Sequence, residues 1–127
     1  MKTIILVILG MSSFIIKPSN LTRDLEALNV IENKTEYNGV YYYYEIKNSG
    51  DIVIPAGSYT VYFSVNGKKI SFDKATSEIQ PGQVIRYKST RTFYWSEKLT
   101  TLNYSLEIIY NDSNIENNIL TGKSQLE

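Results

Sequence analysis

The sequence contains no cysteine and no histidine among its 127 residues. Their absence excludes cysteine nucleophiles, histidine general bases and the His/Cys ligand sets of zinc and copper sites. It also excludes disulfides, so the packing of secondary structure alone has to hold the fold. The 13 Lys and Arg residues are matched by 13 Asp and Glu residues, and this lack of a basic surplus argues against nucleic-acid binding.

Catalytic patterns are missing as well. The carboxylates fall in turns or at outward positions of the expected strands, where no environment that would raise a carboxyl pKa can be inferred. A chain of 127 residues has room for one hydrophobic core and no deep cleft. We therefore expect no enzymatic activity and no cofactor. The 11 tyrosines are an excess that β-propensity largely explains.

The N-terminal segment differs from the rest of the chain. One lysine precedes an uncharged apolar stretch, Thr3–Ile16, and Lys17-Pro18 follows it. This pattern is typical of a secretory signal and is shorter than the roughly 20 residues of a membrane span, although a buried strand or helix is an alternative. Residues 1–19 are therefore predicted to be a signal segment and residues 20–127 a single domain. The location expected for that domain is secreted, periplasmic or at the cell surface, with no stable transmembrane span.

The domain alternates apolar and polar residues with the period of two that is typical of half-buried strands. The pattern predicts strands over Asp24–Glu32, Gly39–Lys47, Ser58–Asn66, Lys68–Phe72, Val84–Phe93, Leu102–Ile108 and Ile115–Thr121. The residues expected to face the core are Leu28, Val30, Val40, Tyr42, Tyr44, Ile46, Tyr59, Val61, Phe63, Val65, Ile85, Tyr87, Leu102, Tyr104, Leu106 and Ile108.

Turn signals separate these strands. Asn66-Gly67 predicts a type I′ hairpin turn, in which both central residues need positive φ. Gln80-Pro81-Gly82-Gln83 predicts a type II turn, because proline presets φ and glycine supplies the positive φ that follows. Short strands with turns at this spacing indicate an all-β fold: an Ig-like or fibronectin-III-like antiparallel β-sandwich of about seven strands.

The order of several elements resembles one family. The chain resembles the CARDB family in the order of five segments, which are Asn48-Ser-Gly50, Val61–Gly67, Gln80-Pro-Gly82, Tyr104–Ile108 and Asp112–Asn118. These are Ig-like modules of bacterial and archaeal surface proteins, named for a supposed role in cell adhesion. The resemblance implies an Ig-like fold and a non-catalytic role at the cell surface.

Some polar residues near the C-terminal end of the domain have structural or metal-binding interpretations. Tyr104 is a candidate tyrosine-corner residue, with its hydroxyl bonded to nearby backbone. Asn117 and Asn118 are expected to cap turn or edge backbone groups. Weak candidates for calcium ligands are the oxygens of three residues, Asp112, Asn114 and Glu116, whose spacing allows a site without specifying one.

Aromatic and basic side chains form the candidate binding surface. Tyr41 and Tyr43 are predicted to face solvent, and in an Ig-like sheet their strand would pair with the strand of Arg86 and Lys88. Such a strip either stabilises the sheet through cross-strand pairs or serves as a recognition surface, since exposed tyrosine is enriched at binding hot spots. Tyr94 and Trp95 are candidates at a strand end, where Trp95 fits a core plug or a ligand contact equally well.

The sequence supports two functional hypotheses and a third, less favoured one. The first is an exported module that engages another envelope or surface protein through the tyrosine face or an edge strand. The second is a carbohydrate-binding module whose aromatic rings stack on sugars. The third is a spacer domain without a ligand. No nucleic-acid partner is expected.

Overall fold

The computed structural model describes residues 21–74 and 76–125 of the chain, which build two antiparallel sheets of four strands each. One sheet has the order β1-β2-β5, with the short strand β6 also pairing with β2. The other has the order β4-β3-β7-β8. The strands are β1 (Leu25–Lys34), β2 (Gly39–Asn48), β3 (Thr60–Val65), β4 (Lys68–Lys74), β5 (Val84–Lys88), β6 (Phe93–Tyr94), β7 (Thr101–Ile109) and β8 (Ile119–Gln125).

The core lies between the two sheets, and the period-two alternation builds it as predicted. β2 alternates strictly between buried and half-buried residues, and β3 does the same. Tyr42, Tyr44 and Phe63 are fully buried and stack through the centre of the sandwich. The all-β sandwich expected from the sequence is therefore confirmed, with eight strands in place of about seven.

Two predicted turns have the backbone geometry that their sequences require. Asn66 and Gly67 adopt φ values of 52° and 80° between β3 and β4. Gly82 has a φ of 85°, and the Gln83 N–H donates to the Gln80 carbonyl oxygen over 3.0 Å. Both turn geometries follow from residues that tolerate positive φ at little cost.

The first strand differs from the prediction at a bulge. The register of β1 against β2 shifts between Ala27 and Asn29, so Leu28 is the extra residue of a β-bulge. Leu25 and Ala27 are buried before the bulge, and Val30 packs against the core after it. The expected inward position of Leu28 was therefore wrong, because the inserted residue changes which side chains reach the core.

The predicted strand Val84–Phe93 is broken in two. β5 ends at Lys88 and β6 begins at Phe93. Between them the Thr90 hydroxyl donates to the Ile70 carbonyl oxygen over 2.7 Å and the Thr90 N–H donates to Ser71 Oγ over 3.0 Å. The chain leaves the β2 ladder at this point because it bonds to β4 of the opposite sheet.

The predicted last strand begins too early. Residues Ile115–Asn118 form a 3₁₀ turn, and β8 starts at Ile119 and continues to Gln125. Glu116, Asn117 and Asn118 therefore precede the strand and are not part of it.

The described part of the chain contains no helix long and apolar enough to cross a membrane. The predicted signal segment, residues 1–19, lies outside the described residues. Its role stays a prediction.

Candidate binding face

The outer face of the β1-β2-β5 sheet carries the aromatic and basic residues that the sequence singled out. Tyr43 lies directly opposite Lys88 in the β2–β5 ladder, and Glu45 lies opposite Arg86. Because alternate residues of a strand share a face, Tyr41 belongs to the same surface. We call Tyr41, Tyr43, Arg86 and Lys88 the tyrosine–cation strip.

Each tyrosine of the strip is covered by one cation. Lys88 Nζ lies 4.7 Å from the ring centroid of Tyr41, and Arg86 Cζ lies 5.1 Å from that of Tyr43. The two rings contact each other edge to face, with centroids 5.7 Å apart. Both tyrosines are half-buried rather than fully exposed, because the long cationic side chains extend over them.

Glu45 fixes one end of the strip. Arg86 donates from Nε and Nη2 to Glu45 Oε2 over 3.1 and 3.0 Å. The Arg86 side chain is 52% exposed and that of Glu45 is 15% exposed, so the ion pair orients the guanidinium at a partly solvated surface. On the same face Lys47 lies opposite Glu26 of β1, and Arg86 is paired with Glu45. Lys88 is therefore the uncompensated cation of the strip.

Tyr94 extends this face along β2. It pairs with Gly39 in register, and a Cβ atom at Gly39 would lie 2.8 Å from Cε1 of Tyr94. The absence of a side chain at Gly39 leaves room for the Tyr94 ring in its present position. Since Gly39 and Tyr41 occupy successive outward positions of β2, the Tyr94 ring adjoins the strip. Its side chain is 56% exposed.

Among the described contacts, none links the Trp95 side chain to Tyr94 or to the tyrosine–cation strip. Its N–H donates to the Asn38 carbonyl oxygen over 2.9 Å, and 42% of it is exposed. The core plug at this end is Phe93, which is buried and lies 6.4 Å from Tyr42 between ring centroids. The core-plug interpretation of Trp95 was therefore wrong.

The inward tyrosines of the same strand are structural. Tyr42 Oη donates to Ser124 Oγ over 2.8 Å, and Tyr44 Oη donates to Asp73 Oδ2 over 2.5 Å. Burial is the main cause that raises the pKa of the Tyr42 and Tyr44 hydroxyls above the ordinary value. Burial likewise raises the pKa of Tyr87, which stacks on Tyr44. In their neutral form, Tyr42 and Tyr44 link the two sheets through these hydrogen bonds.

Tyr104 packs its ring in the core and against a glycine of the neighbouring strand. Its centroid lies 5.4 Å from that of Tyr42 and 6.2 Å from that of Phe63. Gly122 lies opposite Tyr104 in the β7–β8 ladder, and a Cβ atom there would clash with the Tyr104 hydroxyl. The described contacts of Tyr104 are thus those of an aromatic ring covering a glycine on an edge strand. The tyrosine-corner hydrogen bond stays a prediction.

The predicted calcium and capping residues form a carboxylate clamp. Asp112 Oδ2 accepts from the Leu25 N–H over 2.9 Å, and Asp112 Oδ1 accepts from the Asn114 N–H over 2.8 Å. With its amide oriented to satisfy hydrogen bonding, Asn118 donates to Asp112 Oδ2 and to the Leu25 carbonyl oxygen, each over 2.8 Å. Asn117 donates to Asp24 Oδ1 over 2.9 Å.

These bonds tie the closing turn to the start of β1. Both carboxylate oxygens of Asp112 accept hydrogen bonds, whereas Asn114 and Glu116 are exposed. Within the described residues no group of three or more acidic side chains converges on one point.

Two further surfaces had no sequence signal strong enough to single them out. The outer face of the second sheet exposes Ile109 and Ile119, which occupy diagonal positions on β7 and β8. A pocket of about 280 Å³ opens beside Arg23, Val53 and Tyr110. Its residues come from three separate parts of the sequence, so only the folded chain brings them together. Glu45 was missed as well, although its position across from Arg86 follows from the β2–β5 pairing.

Some solved structures share this architecture. No family model matches the chain, and no curated protein matches it. Among solved structures, the solution structure of the CARDB domain of PF1109 from Pyrococcus furiosus is similar, with a TM-score of 0.59 and 17% sequence identity. The match covers 82% of this chain and 94% of that domain. The fold is CARDB-like.

Two other solved structures are similar. The crystal structure of the same CARDB domain in complex with di-metal ions gives a TM-score of 0.59 and 15% identity over 82% of this chain and 93% of that one. The archaellum periplasmic stator protein complex FlaF and FlaG from Sulfolobus acidocaldarius gives a TM-score of 0.48 and 18% identity, covering 90% of this chain and 100% of that one. At these identities the CARDB likeness establishes the architecture alone.

Proposed function

We propose that this CARDB-like domain is a non-catalytic, exported binding module that engages another protein of the cell envelope or surface. The tyrosine–cation strip is the contact face, with Tyr94 at its end. Envelope location is part of the proposal and is supported by the apolar N-terminal pattern of the sequence.

One observation carries the proposal: the side chains of the strip contact one another without a partner. Tyr41 and Tyr43 contact each other, and a cation lies over each ring. Glu45 orients Arg86 by accepting hydrogen bonds from two of its donors. Tyrosine and arginine are the residues enriched at binding hot spots. Side chains already held in place lose less conformational entropy when a partner binds.

A three-way capture experiment tests the role of the strip. The full chain with a C-terminal tag is expressed in its host, cross-linked and purified as wild type, as Tyr41→Ser/Tyr43→Ser and as Tyr62→Ser. Tyr62 is a matched control because Lys69 Nζ lies 4.0 Å from its ring centroid on the opposite sheet. We expect a defined protein to be retained by the wild type and the control and lost with the double variant. Equal retention by all three would contradict the assignment.

Export is tested separately. Residues 1–19 are proposed to be removed as a signal segment, leaving residues 20–127. The intact mass and N-terminal sequence of the mature protein from its host would check this, together with fractionation of the cells. A mature chain that retains Met1 in the cytoplasmic fraction would refute export without bearing on the strip.

Carbohydrate binding is the second candidate, favoured by the exposure of Tyr94 and Trp95, at 56% and 42% respectively. Rings presented in this way can stack on sugars. Envelope polysaccharide should then shift the emission of Trp95, the single tryptophan of the chain, and a Trp95→Phe variant provides the blank. An unchanged spectrum together with empty captures would leave a spacer.

A further inference from the structure

The edge strand β5 offers an open hydrogen-bonding edge next to the tyrosine–cation strip. The Ser89 N–H donates to the Tyr42 carbonyl oxygen, and the Gln83 carbonyl oxygen accepts from the Asn48 N–H. Backbone groups of alternate residues in an antiparallel strand point to the same side. The backbone groups of Ile85 and Tyr87 therefore point to β2, and those of Val84, Arg86 and Lys88 point to the open edge.

The side chains of β5 divide in the same way between the two faces. Val84, Arg86 and Lys88 are exposed on the outer face. Ile85 and Tyr87 lie on the core side opposite Ile46 and Tyr44, and both are only half-buried. An added strand would thus meet cations on one face and uncovered apolar surface on the other.

A second copy of the chain is a poor occupant of this edge. Antiparallel pairing of two full-length β5 strands places Arg86 opposite Arg86 of the second copy, and like charges directly opposite each other are destabilising. Cationic side chains on an edge strand are a common device against self-association. A segment with acidic side chains would instead place opposite charges beside Arg86 and Lys88.

Resting on the function proposed above, we propose that β5 receives an extended segment of the partner protein as an additional strand, with acidic residues alternating with apolar ones. The acidic side chains lie beside Arg86 and Lys88, and the apolar ones cover Ile85 and Tyr87. Lys88 is paired with no carboxylate among the described residues, and Arg86 uses two of its five donors on Glu45. Both cations therefore have capacity for a carboxylate ligand.

Binding of three peptides with acetylated and amidated ends to the full chain tests strand addition at β5. One alternates glutamate with valine, one alternates lysine with valine, and the third is the glutamate peptide with N-methyl groups on its edge-facing amides. We expect the glutamate peptide to bind at least about tenfold more tightly than the other two, since opposite charges and backbone hydrogen bonds both contribute. Amide exchange should slow at Val84, Arg86 and Lys88.

Variants provide the second arm. Lys88→Glu should reverse the preference between the glutamate and lysine peptides, while Lys123→Glu on the edge strand β8 should leave it unchanged. Val84→Pro removes an edge-facing N–H at the first residue of the strand, where proline is tolerated, and should abolish binding of the glutamate peptide. Equal affinity for all three peptides, amide protection elsewhere, or no binding at about millimolar peptide would overturn the proposal.

The two proposals can fail independently. A partner protein that is still captured by Val84→Pro but is lost with Tyr41→Ser/Tyr43→Ser would retain the strip as the contact face and exclude strand addition at β5. A partner lost with both variants would support both proposals.

Discussion

Tyr41, Tyr42, Tyr43 and Tyr44 are consecutive residues of the same type in β2, yet their surroundings differ. Tyr42 and Tyr44 are fully buried, and their hydroxyls donate hydrogen bonds to Ser124 Oγ and Asp73 Oδ2. Tyr41 and Tyr43 lie under Lys88 and Arg86 on the outer face. Because alternate residues of the strand face opposite sides, Tyr42 and Tyr44 have a folding role and Tyr41 and Tyr43 a proposed binding role. Substitutions at the inward pair should therefore reduce stability, and substitutions at the outward pair should reduce binding.

The largest expected effect comes from truncation of an inward tyrosine. Tyr44→Ala removes a ring that stacks on Phe63 at 4.8 Å between centroids and should cost about 3–5 kcal/mol of unfolding free energy. Tyr43→Ala on the outer face should cost about 1 kcal/mol or less. Urea denaturation of both variants measures the contrast, and equal losses would mean that the two faces are not functionally separate.

Alkaline pH should destabilise the protein through tyrosines whose pKa is raised by burial, among them Tyr42, Tyr44 and Tyr87. Below about pH 10 these phenols are protonated in both the folded and the unfolded chain, so their contribution to stability is fully present. Burial raises the folded pKa of Tyr42, Tyr44 and Tyr87, so above about pH 10 the unfolded chain ionises first. For each such tyrosine the free energy of unfolding then falls by about 1.4 kcal/mol per pH unit, until the pH reaches the pKa of that tyrosine in the folded chain.

Unfolding free energies at neutral pH and at several values above pH 10 measure this loss. Tyr87→Phe should make the decline shallower than in the wild type. A decline that is identical in the wild type and in this variant would exclude the Tyr87 phenol as a cause.

The two tyrosine–glycine pairs extend the comparison to smaller effects. Gly122→Ala forces a methyl group into the Tyr104 ring in the core and should cost about 1–3 kcal/mol. Gly39→Ala places its methyl group 2.7 Å from Thr35 Oγ1, 2.8 Å from Tyr94 Cε1 and 2.9 Å from Thr92 Cγ2. All three are side-chain atoms near the surface that can shift, so the cost should be smaller, about 1 kcal/mol. Thermal unfolding of the two variants compares them, and a larger cost at Gly39 would show that these side chains cannot move.

The smallest expected effect is at the ion pair of the strip. A double-mutant cycle of Arg86→Gln and Glu45→Gln should give a coupling energy of about 0.2–1 kcal/mol that decreases with salt, because Arg86 is half exposed. A larger, salt-independent value would show that the strip is a structural element like the inward tyrosines.

The sequence predicted best the features that depend on neighbouring residues. The inward residues of β2, β3 and β7 follow from alternation, and the turn at Asn66-Gly67 follows from the need for positive φ. The pairing of the Tyr43 strand with the Arg86 strand followed from the Ig-like order of strands.

The misplaced features depend on partners that are distant in the sequence. The strand break after Lys88 requires Ser71 and Ile70, and the late start of β8 accompanies the bonds of Asp112 to Leu25 and Asn118. The Leu28 bulge depends on the register of β1 against β2. No local pattern of apolar and polar residues contains that information.

The carboxylate clamp of Asp112 also determines how the domain responds to tension. Leu25 and the start of β8 are held together at one end of the sandwich, and Gln125 lies at the other end, where it pairs with Thr101. A pull between Leu25 and Gln125 therefore runs along β1 and β8 in opposite directions. The hydrogen bonds of an antiparallel ladder are perpendicular to its strands, so they are loaded together in shear instead of opening one at a time. A domain stretched in this way between two attachment points would resist mechanical unfolding without any covalent cross-link.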